Sequence, residues 1–149
     1  MGIKEEMPLL ARHEGEWEGA YTYVDAEGKV LDRHRSNLSC RFPRDRGEIA
    51  YHQTNRYRWD DGREEVHEFP ATYADGRIHF DTERIRGRAW EVDDNTIVLT
   101  WTYKGQEHLH LYEMIQLSKE GNDRARTWHW FRDDRLFQRT LIDERRVAP

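Results

Sequence analysis

His13-Glu14-Gly15-Glu16-Trp17-Glu18-Gly19-Ala20-Tyr21 opens the first long alternating run of the chain. A tryptophan between two glycines, at the head of a long alternating run, is expected on a strand at the closed end of a small barrel. Glycine lets the neighbouring backbone approach a large ring. From Gly15 onward the pattern keeps a period of two, and turn signals interrupt it about every ten residues, as antiparallel hairpins require. Strands are expected at Gly15 to Val24, Val30 to Phe42, Glu48 to Trp59, Glu64 to Phe69, Arg77 to Thr82, Arg88 to Val92, Thr96 to Tyr103, Glu107 to Leu117, Arg124 to Arg132 and Leu136 to Glu144. Between them lie Asp25-Ala26-Glu27-Gly28, Asp60-Asp61-Gly62, Asp75-Gly76, Lys104-Gly105, Gly121-Asn122-Asp123 and Asp133-Asp134, residues that tolerate tight or left-handed turns. Upstream, Met7, Leu9 and Leu10 around Pro8 suit a short helix or a cap over one barrel end.

Gly15-Glu16-Trp17 resembles the Gly-x-Trp signature of the calycin superfamily, the lipocalins, fatty-acid-binding proteins and their bacterial relatives. The run from His13 to Gly28 resembles a bacterial calycin family related to the phycobilin chromophore lyases. Leu111-Tyr112-Glu113-Met114-Ile115-Gln116-Leu117 and Thr140-Leu141-Ile142-Asp143-Glu144-Arg145 fit the same resemblance. It implies an all-β, up-and-down antiparallel barrel of 8–10 strands that holds a ligand, without implying one reaction. In such barrels a basic residue near the end of the chain stacks over the signature tryptophan, so Arg139, Arg145 and Arg146 are candidates to cover Trp17.

A length of 149 residues suits a single domain, expected over 1–149. Aliphatic residues are sparse, but six Trp and seven Tyr can build an aromatic core. The 24 basic and 29 acidic residues are interleaved, giving a net charge of −5 with no sustained run of either sign. No nucleic-acid or membrane footprint follows, and the Arg-x-Arg alternation reads as the solvated outer face of a sheet. A lone cysteine, Cys40, excludes an intramolecular disulfide framework and reads as a small apolar filler. Without an apolar run near the N-terminus, a cytoplasmic location is expected.

Facing follows from hairpin register, because residues opposite one another share a face. With Lys104-Gly105 as a two-residue turn, Trp101 faces His108, Leu99 faces His110 and Ile97 faces Tyr112. Tyr112 then lies opposite His129, and His129 opposite Gln138. The interior is therefore expected to hold Trp101, His108, His110, Tyr112, His129 and Gln138, with Glu113, Arg124, Arg126 and Arg139 outside. In the N-terminal half the same alternation groups Trp17, Tyr21 and Tyr23 with Asp32, His34, Ser36, Leu38 and Cys40, and then with Tyr51, Gln53, Asn55, Tyr57 and Trp59. This register leaves Leu109, Leu111, Trp128, Trp130 and Phe137 together on the outside, which marks a dimer interface, a covering helix or a wrong register.

A dry core does not need so many inward polar groups, since each one buried without a partner costs about 1–3 kcal/mol. A ligand cavity uses them. The ligand-binding candidates are His34, Gln53, Asn55, Tyr57, Trp90, Trp101, His108, His110, Tyr112, His129 and Gln138. The reading that follows is a carrier for a small hydrophobic, partly aromatic or conjugated molecule. The alternative is a cofactor-independent isomerase, cyclase or lyase with His108, His110, Tyr112 and His129 as acid and base, since histidine titrates near neutrality and tyrosine can donate to an oxyanion. No resident cofactor is expected; haem, or a metal on His108, His110 and His129, are the remaining alternatives. The partners expected are the small molecule and a second copy through the outer aromatic patch.

Overall fold

The structure, a computed structural model, describes residues 2–147; residues 1, 148 and 149 of the expected domain lie outside the described residues. Ten antiparallel strands follow one another around a closed barrel: β1 (Gly15–Asp25), β2 (Val30–Arg41), β3 (Tyr51–Arg58), β4 (Glu64–Ala74), β5 (Arg77–Asp81), β6 (Ile85–Glu91), β7 (Thr96–Tyr103), β8 (Gln106–Leu117), β9 (Asp123–Arg132) and β10 (Arg135–Arg146). β10 returns to pair with β1 from Trp17↔Arg146 to Asp25↔Gln138, so the barrel presents no free sheet edge. This is the up-and-down barrel expected. Three strands differ from expectation by three residues or more. β3 starts three residues late, at Tyr51. β4 runs on through Pro70, which pairs with His52 of β3 but lies beyond the register of β5, which begins at Ala71↔Phe80. Its missing N–H therefore leaves no gap in the β4–β5 ladder. β6 starts three residues early, at Ile85, whose amide bonds the Thr82 side chain.

One end of the barrel is closed. Two helical turns, α1 (Ile3–Glu6) and α2 (Pro8–Ala11), lie across it and bury Met7, Leu9 and Leu10. Pro8 starts α2, where a missing N–H costs nothing, and the Leu10 amide donates to Glu91 Oε2 at 2.8 Å. Beneath this cap Trp17 is fully buried, its indole N–H donating to the His13 carbonyl at 2.9 Å. Arg146 covers one side of the ring at 4.4 Å and Arg124 lies at 4.7 Å. Arg146 also donates to the carbonyls of Arg12, Glu14 and Gly121, so of the three candidates it is the one that locks the tryptophan in place. Gly19 is required for closeness rather than for a turn: a Cβ there would stand 2.1 Å from the Asp143 carbonyl oxygen across the β1–β10 seam.

In the N-terminal half the expected facing holds, with Tyr21↔His34, Trp17↔Leu38, Ser36↔Tyr57 and Leu38↔Asn55. In the C-terminal half β8 and β9 are turned over. Beside the β7–β8 turn the ladder passes from Tyr103↔Gln106 to Thr102↔His110, an offset of three residues on β8. An odd offset exchanges faces, so Trp101 pairs with Leu111 and Leu99 with Glu113. Tyr112 does face His129 as expected. A second odd shift, between Leu136 and Gln138, then sets Arg139 against His129 and restores the expected facing of β10. Leu111, Trp128 and Trp130 consequently point inward, and the outer patch expected around them is not there. Among the described residues no helix is long and apolar enough to cross a membrane.

Candidate functional site

The middle of the barrel is filled by a charged lattice that includes Glu113, Arg124 and Arg126, three residues expected on the outer face. Arg126 donates to Glu113 at 2.6 Å, to Glu144 at 3.2 Å and to the Tyr21 hydroxyl at 2.8 Å; Arg124 donates to Glu144 at 2.6 Å and to His13 Nδ1 at 3.1 Å. Two guanidiniums and two carboxylates balance, which makes their burial tolerable. Burial alone would raise the Glu144 carboxyl, but Arg124 and Arg126 outweigh it and hold the group below its ordinary value. His13 is pushed well below its ordinary value by burial and then by Arg124. Beside this lattice β3 lays a ladder of neutral groups: Tyr51 hydroxyl to Gln53, Gln53 to Asn55, Asn55 to the Tyr57 hydroxyl, each at 2.8–2.9 Å. Lattice and ladder leave an enclosed gap of only about 30 Å³. They make a floor that admits no organic ligand.

Above the floor the opposite end is open. A cavity of about 480 Å³ is walled by Tyr57, Phe69, Trp101, Tyr103, Trp128 and Trp130, with Glu83, Arg84 and Lys104 at its rim. Tyr103 and Trp130 lie parallel, 5.8 Å apart, and Phe69 stacks on Trp101 at 5.6 Å. The Trp130 indole is satisfied by Thr140. By contrast, the buried indole nitrogens of Trp101 and Trp128 have no partner. A second chamber of about 290 Å³ adjoins it, sharing Tyr23, Tyr57 and His67 and reaching Asp32, His34 and Gln138. His67 has both nitrogens engaged: Arg84 can only donate to Nδ1, so Nε2 carries the hydrogen and donates to Glu65.

Of the residues expected at a ligand, Tyr57 and Trp101 line the larger chamber, His34, Tyr57 and Gln138 the smaller, and Gln53 and Asn55 the floor. His108, His110, Tyr112 and His129 are not in the cavity. The odd offset on β8 turns them to the outer wall, where His110 stacks on Phe131 at 5.2 Å and Tyr112 is 48% exposed. Trp90 is outside too, between Arg77 and Arg88, because its neighbour Ala89 takes the inward position on β6. Among the described residues no group of three or more His, Cys, Asp or Glu side chains is arranged to hold a metal ion, so the three histidines are not gathered into one set. Sequence reasoning missed Glu113, Arg124, Arg126, Trp128 and Trp130. The signal was there: two arginines two apart on β9 match two inward glutamates, and the alternative face left five large apolar residues in water.

A closed antiparallel barrel, capped at one end and open to an aromatic chamber at the other, defines a calycin-like protein. The chain belongs to the family described as "Domain of unknown function (DUF3598), N-terminal", which matches residues 4–148. A comparison with curated proteins finds no match. Among solved structures, a DUF3598 protein from Nostoc punctiforme PCC 73102 is 18% identical with a TM-score of 0.73; the match covers 93% of this chain and 49% of that one. This chain thus spans about half the length of that relative. The S-type phycobiliprotein lyase CPES from Guillardia theta is 14% identical with a TM-score of 0.76, over 100% of this chain and 94% of the other. Rv2717c from M. tuberculosis is 11% identical with a TM-score of 0.64, over 96% and 98%. At these identities the likeness is one of fold.

Proposed function

We propose that the open end binds a small, flat aromatic or conjugated molecule carrying a hydrogen-bond acceptor such as a carbonyl oxygen. The observation that carries this reading is the pair of unpartnered indole N–H groups, Trp101 and Trp128, buried in the wall of a 480 Å³ aromatic chamber. A buried donor without a partner costs about 1–3 kcal/mol, and a ligand acceptor relieves that cost. Parallel rings such as Tyr103 and Trp130 offer flat faces to a conjugated body. The likeness to a phycobiliprotein lyase is in keeping with a chromophore-sized guest.

Native mass spectrometry of the purified protein, with its absorption spectrum from the ultraviolet to the red, tests the reading directly: extra mass or a new band identifies the guest. For an added fluorescent aromatic probe, Trp130→Ala is expected to weaken binding by about tenfold, or about 1.4 kcal/mol. His129→Ala, on the outer wall, is expected to leave affinity unchanged. Equal effects of the two substitutions, measured by titration, remove the open end as the site.

A further inference from the structure

The smaller chamber contains a pair of residues that binding alone does not require. Asp32 accepts the Trp59 indole N–H at 3.0 Å and faces His34 Nδ1 at 2.9 Å. A carboxylate only accepts, so Nδ1 carries the hydrogen and Nε2 presents a lone pair. The ring cannot swing away, being packed against Trp59 at 4.3 Å, Tyr57 at 4.7 Å and Tyr21 at 5.2 Å. His34 is 4% exposed, lines the chamber together with Asp32, and its Nε2 has no partner. An oriented imidazole with a carboxylate behind it and an unused basic nitrogen is the arrangement of a general base. The titratable groups around it are Asp32 behind, the hydroxyls of Tyr21, Tyr23 and Tyr57 beside it, and Glu65 and His67 on the chamber wall. Burial raises Tyr23 and Tyr57 above the ordinary tyrosine value, so these two stay protonated and offer a hydrogen rather than a charge.

We propose that Asp32 and His34 form a proton-transfer site that isomerises a conjugated carbonyl compound held in the chamber, with His34 Nε2 as the catalytic base and Asp32 as its positioning residue. This rests on the open end being a ligand chamber. A C–H bond next to the carbonyl breaks, its electron pair remains on the substrate as an enolate, and the proton moves to Nε2. The imidazolium is stabilised by the Asp32 carboxylate. The proton then returns to the oxygen, or to a carbon further along the conjugated system, and His34 is neutral again. Nothing is oxidised or reduced, and no co-reactant is consumed.

Phenylpyruvate is the test probe. Conversion of its enol to its keto form is followed by the decay of ultraviolet absorption, and binding by quenching of tryptophan fluorescence in the same samples. The wild type is expected to accelerate the conversion. His34→Gln is expected to lower the rate by about 100-fold while leaving affinity within about threefold. Asp32→Asn lowers it too while leaving affinity within about threefold, and Asp32→Glu, which restores a carboxylate behind the ring, recovers most of the rate; a purely structural role would lower affinity along with rate. His129→Gln keeps the full rate. If His34→Gln does not fold, Asp32→Asn decides, since the Asp32 side chain is 38% exposed. Binding without acceleration, or a full rate in both variants, overturns the base and leaves the chamber standing. Absence of quenching overturns the chamber and the base with it.

Discussion

Arg126 ties three strands together through Glu113 on β8, Glu144 on β10 and Tyr21 on β1. Burial alone would lower its guanidinium pKa, but Glu113 and its neighbours outweigh that and keep it charged. Arg126→Met therefore leaves the Glu113 carboxylate buried without its ion-pair partner, while Glu144 keeps Arg124, and is expected to cost about 3–5 kcal/mol, read as a fall in the denaturation midpoint. The same lattice sets the response to acid. Glu144 is held below its ordinary value of 4.5 in the folded protein, so its contribution is present above that value and lost as pH falls below it. His13 is depressed below 6.5; the unfolded chain takes up its proton first, so stability also declines as pH falls below 6.5. Melting temperature is expected to fall in two stages on acidification, and His13→Gln should flatten the first. An unchanged slope between pH 5 and about 6.5 in that variant would assign the loss elsewhere.

At the scale of the strand, the turns, the ten-strand count and the N-terminal facing were legible because alternation and turn chemistry are local properties. The candidate site was half legible: Tyr57, Trp101, His34 and Gln138 do line the open end, whereas His108, His110, Tyr112 and His129 do not. The cause is a pair of odd shifts, one beside each end of the β8–β9 hairpin, that cancel beyond it. No residue type announces such a bulge, and a chain of hairpin registers carries one slip forward until another corrects it. What could have flagged it was energetic: the face of β8 and β9 that carries Glu113, Arg124 and Arg126 also carries Leu111, Trp128 and Trp130, and turning it outward leaves those large apolar side chains in water. The inversion can be checked by cysteine labelling in a Cys40→Ser background. Tyr112→Cys and His129→Cys are expected to react with a maleimide at rates near those of an unfolded control, and Leu111→Cys and Trp128→Cys to be protected. The reverse pattern would restore the simpler register.

Across the whole molecule, stability and openness are divided between the two ends. The capped end holds Trp17 between arginines, and the charged lattice braces the middle. The upper chambers can then remain partly unfilled without collapse of the strands around them. A guest bound only by the folded state is expected to add about 2.7 kcal/mol at a concentration of 100 times Kd, seen as a rise in melting temperature that depends on ligand concentration. A ligand that binds but leaves the melting temperature unmoved would have to associate with the unfolded chain as well.

The seam where the first strand meets the last has a consequence for time rather than for strength. Trp17 cannot pair with Arg146 until every intervening strand exists, and Arg146 must then reach back to the carbonyls of Arg12 and Glu14. Nine hairpin pairings can form between neighbours as the chain emerges from the ribosome; the tenth waits for the end. Until it closes, β1 and β10 are both unpaired along one side, the condition that invites another chain to pair there instead. Refolding is expected to be slow for the protein's size, with Trp17 fluorescence reaching its native value only in the final phase. In the cell, the interval between synthesis of β9 and docking of β10 is when this barrel is most exposed to capture by a neighbour of its own kind.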